Sequence, residues 1–448
     1  MGQKEIPPPA SRPNAIVTNV STLWDVSAAL VNYAIWGPPK QCPSWTASQV
    51  SAYTLYRGIV TYGKVMGISD REHVEAATKA QDPEASSAGM KALGWPDPLN
   101  PNSKVTESTI PRVSHQYFAT TEDTSPIKME TVEWNGPKEG VEGCDGMVVL
   151  YFFGGGYVIG SPSNARGQTV ELARVTGCTV YAPDYRVAWR GQHPAQLHDA
   201  YSALVYLTDP VPKGMGIPAN KVVLSGWSAG GNLAINLMRF VVEQDPRLKP
   251  AGVVPFAPVT DFTASCASRW LNDLDILPPL EKFGHMAPIQ WVAHLANEEL
   301  TDPLASSLLA EPRADLPPML VEAGTAERLY DESALFVLRN MQKSAVVGVI
   351  MEETTHVWFG AFPPQYAALM KRVGEFIANL NKNPAVITSG FVRIDAKGNT
   401  TPSDSADVKK YLLDRMKEFN DRKEKGEIDW DLSPKVKNIY KNLESNAF

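Results

Sequence analysis

The middle of the chain is marked by short, uninterrupted apolar runs at 147–153, 179–182, 222–224, 253–256, 319–321 and 346–350. Runs of this length without polar alternation suit strands buried on both faces. Between them, apolar residues recur with helical spacing at 196–207, 231–242, 331–342 and 365–380. Strands and helices in alternation predict a mostly parallel sheet with right-handed crossovers and helices on its faces. Just upstream, 114–119 and 127–132 alternate polar with apolar and predict a half-exposed antiparallel pair.

The flanks differ. Positions 20–36 are helical in pattern, with Val20, Leu23, Ser27, Leu30 and Ala34 on one face and Trp24, Val31 and Ile35 beside it, until Pro38 and Pro39 stop the helix. A second helix is expected from Thr46, which has capping-box spacing to Gln49, and it carries Tyr53, Tyr56, Ile59, Val60 and Tyr62. Residues 84–112, rich in Pro, Ser and Asn, read as a loop. Amphipathic stripes are usually core faces, so these N-terminal aromatics are expected to pack on the main domain; a lid or a membrane contact is the alternative. Positions 277–299, with Trp291 and His294 on a helical pattern, resemble an insertion over the sheet. Beyond 385 the chain is densely charged, yet Val408, Leu412, Met416 and Phe419 form a helical stripe that predicts a surface-docked or interaction helix. The expected organisation is an arm and helical cap at 1–110, a core at 111–384 with the insertion at 270–300, and a charged extension at 385–448.

Composition narrows the class. With 448 residues, 44% hydrophobic and 20% charged, the chain is globular. A net charge of −7 and no basic block argue against a nucleic-acid partner. The four cysteines, Cys42, Cys144, Cys178 and Cys266, have no metal-site or disulfide-framework spacing, which predicts reduced thiols in a cytoplasmic protein. The first thirteen residues lack the apolar core of a signal peptide.

The chemistry centres on Gly226-Trp227-Ser228-Ala229-Gly230, a G-x-S-x-G pattern placed after an apolar strand and before a helix. A serine presented at the top of a sheet needs a sharp, strained turn, so side chains at Gly226 and Gly230 would collide with neighbouring backbone. A second element, Phe153-Gly154-Gly155-Gly156-Tyr157, follows another strand, where glycine amides can face an oxyanion. It lacks the Lys-Ser/Thr of a phosphate loop. A nucleophilic serine needs a base and an orienting acid. Of seven histidines, His356 follows the last predicted strand, where ligands of such sheets collect. The acid is expected after the preceding strand, at Glu327 or Asp331; Asp331 also suits a helix N-terminus.

These motifs resemble the hormone-sensitive-lipase-like branch of the α/β-hydrolases. Phe153-Gly154-Gly155-Gly156 is similar to that family's His-Gly-Gly-Gly, and Asp184-Tyr185-Arg186-Val187-Ala188 with His193-Pro194-Ala195 to its Tyr-Arg-Leu-Ala-Pro-Glu…Pro-Ala. Gly226-Trp227-Ser228-Ala229-Gly230-Gly231 is similar to Gly-Asp-Ser-Ala-Gly-Gly, and Glu327-Arg328-Leu329-Tyr330-Asp331-Glu332 to Asp-x-Leu-x-Asp-Glu. The last alignment puts Glu327 at the acid position. Three departures stand out: Phe153 for histidine, Trp227 for aspartate and Glu327 for aspartate. The resemblance implies an α/β-hydrolase fold and a serine hydrolase with Ser228 as nucleophile, His356 as base and Glu327 as acid. Gly155, Gly156 and Ala229 would form the oxyanion hole, and Phe153, Tyr157, Trp227 and Trp358 would line the substrate site. No cofactor or metal is required. The implied activity is hydrolysis of short-acyl esters of a lipid, sterol or secondary metabolite. An amidase, an acyltransferase and a non-catalytic receptor on this fold are the alternatives. Beyond the ester substrate, a peripheral membrane contact through the N-terminal helix and a homodimer are the partners this reading allows.

Overall fold

The structure is a computed structural model that describes residues 15–62, 96–121, 123–137, 140–188, 190–277, 299–356 and 363–445. Its described residues build a ten-stranded sheet, in spatial order β1 (Ser103–Ile110), β2 (Ile127–Trp134), β4 (Thr179–Pro183), β3 (Val148–Phe152), β5 (Val222–Trp227), β6 (Gly252–Phe256), β7 (Met319–Gly324), β8 (Val346–Met351), β9 (Gly390–Ile394) and β10 (Thr400–Ser403). The predicted apolar runs become β3 (Val148–Phe152), β4 (Thr179–Pro183), β5 (Val222–Trp227), β6 (Gly252–Phe256), β7 (Met319–Gly324) and β8 (Val346–Met351). All six pair in parallel. Their Val- and Leu-rich sequences suit a pleated surface covered on both sides. Crossover helices Ala195–Thr208, Ala229–Gln244, Tyr330–Asn340 and Pro363–Lys382 match the helical spacings.

The register decides where chemistry can sit. Phe152 pairs with Gly226, Trp227 with Phe256, Phe256 with Glu322, and Gly324 with Met351. The carboxyl ends of β3, β5, β6, β7 and β8 therefore finish nearly level, and the loops after them share one rim.

Several expectations need correction. β2 (Ile127–Trp134) pairs antiparallel with β4 and with β1 (Ser103–Ile110), the latter inside the stretch that reads as a loop, and not with 114–119. Residues 116–121 form a 3-10 helix instead. β1 is polar because most of its side chains face solvent at the sheet edge, so composition hides a strand that pairing stabilises. Helix Arg166–Thr176 fills the β3–β4 crossover, which the hydrophobic pattern left empty. The C-terminal extension also joins the sheet. β9 (Gly390–Ile394) pairs in parallel with β8, and β10 (Thr400–Ser403) closes the edge antiparallel, with Pro402 tolerated there. After it, helix Ser405–Glu424 buries the expected stripe Val408, Leu412, Met416 and Phe419.

The N-terminal helices divide in behaviour. Helix Ala47–Tyr62 is capped as its spacing predicts: the Thr46 N–H donates to Gln49 Oε1 at 2.9 Å and the Gln49 N–H to Thr46 Oγ1 at 3.3 Å. Trp45, Val50 and Tyr53 are buried against the core. Helix Ala15–Trp36 turns Ala29 and Tyr33 inward, while Ser27, Leu30 and Ala34 of the predicted stripe are exposed. Trp24 is left 74% exposed and Trp36 81%, with Val31 and Ile35 also open. Among the described residues no helix is long and apolar enough to cross a membrane. Most of the expected insertion, including Trp291 and His294, lies outside the described residues.

Phe419 is fully buried and meets Trp270 edge-on, with ring centroids 6.4 Å apart. Phe419→Ala should therefore lower unfolding free energy by about 3–5 kcal/mol, as core truncations of this size do. Denaturant unfolding followed by tryptophan fluorescence measures it, and a loss below about 1 kcal/mol would mean the extension is not part of the cooperative core.

Candidate active site

Ser228 is the single residue between β5 and helix Ala229–Gln244. Its backbone lies at φ 55°, ψ −120°, a left-handed conformation that costs a non-glycine residue about 1–3 kcal/mol. Surrounding bonds hold it there. The Ser228 N–H donates to Phe256 O at 2.8 Å, and its carbonyl accepts from Asn232 and Val259. The need for glycine on either side is steric. A Cβ at Gly230 would stand 2.0 Å from Phe152 O, and one at Gly226 would stand 2.5 Å from Gly230 O. The serine itself is almost fully buried.

The glycine loop follows β3. Gly155 lies at φ 118° and Gly156 at φ 63°. The N–H groups of Gly155, Gly156 and Ala229 donate to no group among the described residues, so they remain available to an anion. The substitution of Phe153 for histidine has a clear structural answer. Its ring stacks on Tyr185 at 4.0 Å, and the Tyr185 hydroxyl donates to Phe153 O at 2.7 Å. Tyr185 is fixed by the motif around it. The Arg186 guanidinium and main-chain N–H both bond the buried Asp199, which Arg112 also binds. Tyr157, at φ 64°, donates its hydroxyl to Asn232 Oδ1 at 2.7 Å and so ties the loop to the helix that follows Ser228. Trp227 packs on the loop from below, and a Cβ at Gly154 would stand 2.8 Å from its indole. Thus Phe153 and Tyr157, expected to line a substrate site, also brace the glycine loop. Trp358 lies outside the described residues.

His356 lies beyond β8, and its Nδ1 is 2.8 Å from Glu327 Oε2 in the loop after β7. The other Glu327 oxygen accepts the Gly324 N–H at 2.7 Å. Asp331 is elsewhere: it accepts the Ser268 N–H at 2.8 Å, in the first turn of helix Tyr330–Asn340. The carboxylate paired with the imidazole is therefore Glu327. No hydrogen bond joins Ser228 to His356 among the described residues. The remaining described histidines are engaged otherwise. His198 bonds Val113 O, His193 faces Asp302, and His115 lies among Phe118, Tyr201 and Phe240. His73, His285 and His294 fall outside the described residues.

Burial sets the electrostatics. It pushes His356 down to about 4, with Asp275 opposing and Arg269 reinforcing the shift, so the imidazole is neutral near pH 7. Burial pushes the Glu327 carboxyl up, with Asp275 adding to the shift, while the Gly324 N–H pulls it down. Glu322, on β7, is pushed up by burial and by Glu327, and its Oε2 has no partner among the described residues. Asp275 is the residue that sequence reasoning missed. It sits at the edge of a segment read only as an insertion, and nothing in its spacing marks it.

This is the fold of an α/β-hydrolase. A family profile described as an alpha/beta hydrolase fold matches residues 149–360. An acetyl-hydrolase of Streptomyces hygroscopicus is 30% identical over 253 residues, which cover 55% of this chain and 79% of that protein. The chain belongs to the α/β-hydrolase family, in the hormone-sensitive-lipase-like branch its motifs resemble. An arylesterase of Saccharolobus solfataricus is 29% identical over 199 residues, 44% of this chain and 62% of its own. Among solved structures, a hyperthermophilic esterase of Pyrobaculum calidifontis superposes with a TM-score of 0.55 at 22% identity, covering 73% of this chain and 97% of that one.

Glu327→Gln should lower kcat by about 10⁴-fold, because an amide no longer holds the required tautomer, whereas Asp331→Asn should stay near wild type. The reverse outcome in steady-state ester assays would move the acid to Asp331. Because His356 must be neutral to accept a proton, kcat/KM should hold from pH 7 downward and fall only as pH drops through about 4. An acid limb centred near pH 6.5, the ordinary histidine value, would contradict this burial argument.

Proposed function

We propose that the protein hydrolyses short-acyl carboxylic esters of hydrophobic alcohols through an acyl-enzyme on Ser228. The observation that carries this reading is the His356–Glu327 pair on the rim that also holds Ser228 in its strained turn. The Glu327 carboxylate keeps the proton on His356 Nδ1, leaving Nε2 to accept one. Ser228 Oγ attacks the ester carbonyl as Nε2 takes its proton, and the oxyanion turns to the amides of Gly155, Gly156 and Ala229. The C–O bond to the alcohol then breaks, with Nε2 returning the proton to the leaving oxygen. A water attacks the acyl-enzyme by the same route, giving the acid and restoring Ser228.

The substrate class draws on two supports. The relatives include an acetyl-hydrolase and an arylesterase. In this chain Trp227 stands against Gly154, beside the proposed oxyanion amides, and we take it to bound the acyl side. Acyl transfer to another alcohol and amide cleavage share the acyl-enzyme, and product analysis separates them.

The open apolar residues Trp24, Val31, Ile35 and Trp36 support a peripheral membrane contact through helix Ala15–Trp36. The four cysteines are buried thiols, which fits a cytoplasmic location.

Ser228→Ala should cut turnover of p-nitrophenyl acetate by about 10⁶-fold and abolish fluorophosphonate labelling. Near-normal turnover in a clean preparation would end the proposal. On an acyl-length series, wild type should prefer acetyl and butyryl over octanoyl esters, and Trp227→Ala should flatten that preference. Full-length protein should co-sediment with liposomes while a chain lacking residues 1–40 stays in the supernatant; equal partition of the two would remove the membrane contact.

A further inference from the structure

Three backbone amides converge on one buried carboxylate beside the candidate triad. Asp275 Oδ1 accepts the His356 N–H at 2.9 Å and the Ile276 N–H at 2.7 Å, and Oδ2 accepts the Arg328 N–H at 2.6 Å. Arg328 is the residue next to Glu327. One fully buried side chain therefore bridges the main chain of the histidine loop to the main chain of the acid loop.

The segment that carries Asp275 is itself anchored from several sides. Asn272 Nδ2 donates to Glu327 O at 2.6 Å and to Thr325 O at 3.2 Å. Its Oδ1 accepts from Gln41 of the N-terminal cap and from Arg415 of helix Ser405–Glu424. Gln41 also reaches Leu271 O, and the Tyr53 hydroxyl donates to Leu274 O. Beneath it, Arg269 pairs with Glu332 and Ser268 with Asp331, at the start of the helix behind the acid loop. The histidine loop is held in the same manner. Glu353, at φ 56° and three residues before His356, accepts the N–H and hydroxyl of Ser44, while its carbonyl accepts the Trp45 indole N–H.

We infer that Asp275 is a positioning residue of the triad, setting the placement of His356 relative to Glu327, and that the terminal extensions hold it in register through Asn272. This rests on the triad reading above. Gln41 and Arg415 lie outside the matched residues 149–360, so the extensions become part of how this hydrolase orders its site. Distance geometry gives the reason. A base must meet its proton within a few tenths of an ångström, and a misplacement of about 1 Å costs about 10²-fold in rate. Two loops from adjacent strands have no covalent reason to hold that tolerance. A carboxylate bonded to both backbones supplies it without using either reacting side chain. Its charge adds a second effect: it favours the imidazolium that forms as Ser228 is deprotonated, against burial and Arg269.

The test is Asp275→Asn in the full chain. An amide of the same shape turns an NH₂ toward a backbone N–H on one side of the bridge, so one loop must shift. Expected are a kcat loss of about 10- to 100-fold with KM within about twofold, and a matching fall in the rate of fluorophosphonate labelling. The acid limb of kcat/KM should move to lower pH, because a charge favouring protonated His356 is gone. A purely structural role would lower the active fraction found by titration with the probe and leave both the per-site rate and the limb unchanged. Folded Asp275→Asn with wild-type kcat and labelling rate overturns the inference. Should that variant fail to fold, Asn272→Ala, which buries no new unpaired charge, should lower kcat about tenfold at unchanged KM; wild-type kcat there overturns it equally. If Ser228→Ala and His356→Ala remain active, the triad reading has failed; if they are dead and Asp275→Asn is normal, only this inference has.

Discussion

The structure depends on a serine whose backbone is held where serines do not rest. A φ of 55° at Ser228 is possible only because β5 is clamped between β3 and β6. Phe256 at the end of β6 accepts the serine's own N–H, and Phe152 at the end of β3 comes too close for any side chain at Gly230. The strain is thus maintained by the register of three buried strands. Those strands must end level, and their level ends are what bring the glycine loop, the acid loop and the histidine loop to one rim. One steric demand at the centre fixes the placement of the rest.

Around that centre the protein solves a second problem, that of burying charge. Glu322, Glu327, Asp275, Asp331 and Glu332 are all buried within or near the acid loop. Each needs partners, since an uncompensated buried carboxylate costs several kcal/mol. The solutions differ. Asp275 collects three backbone amides, Glu332 takes Arg269 and the Thr260 N–H, and Asp331 takes Ser268. Burial still pushes Asp331 up to about 6 and Glu332 up to about 7. Glu322 Oε2 and Asp331 Oδ1 are unmatched among the described residues, and the remaining partnerships bind separate loops together. Asp331 and Glu332 bond Ser268 and Arg269, at the start of the segment that leads to Asn272 and Asp275.

Much of this was legible in the sequence because its physics is local. A buried parallel strand is a continuous apolar run, and a sharp turn at a serine demands glycine two residues either side; both can be read without knowing neighbours. The capping box at Thr46 and the stripe from Val408 to Phe419 are local in the same way. What could not be read was pairing. β1 is polar because it lies at an edge, and only β2 makes it a strand. β9 is five residues with an arginine inside, and pairing with β8 and β10 makes it a strand. Asp275 and Glu353 look like ordinary surface acids until His356, Arg328 and Ser44 fold against them. The choice between Glu327 and Asp331 stood between these cases: motif alignment favoured one and helix position explained the other.

The departures from the family pattern are coupled rather than independent. Replacing the histidine before the glycines removes a polar anchor, and here an aromatic stack of Phe153 on Tyr185 takes its place. Replacing the aspartate beside the nucleophile puts the Trp227 indole where Gly154 can approach it only as a glycine. The glycine loop is therefore fixed by apolar contact on two sides, with Tyr157 and Tyr185 supplying its hydrogen bonds. Such a loop loses little when water is excluded, because few of its supports compete with solvent. That suits the proposed oxyanion site, whose amides must stay unpaired until charge develops.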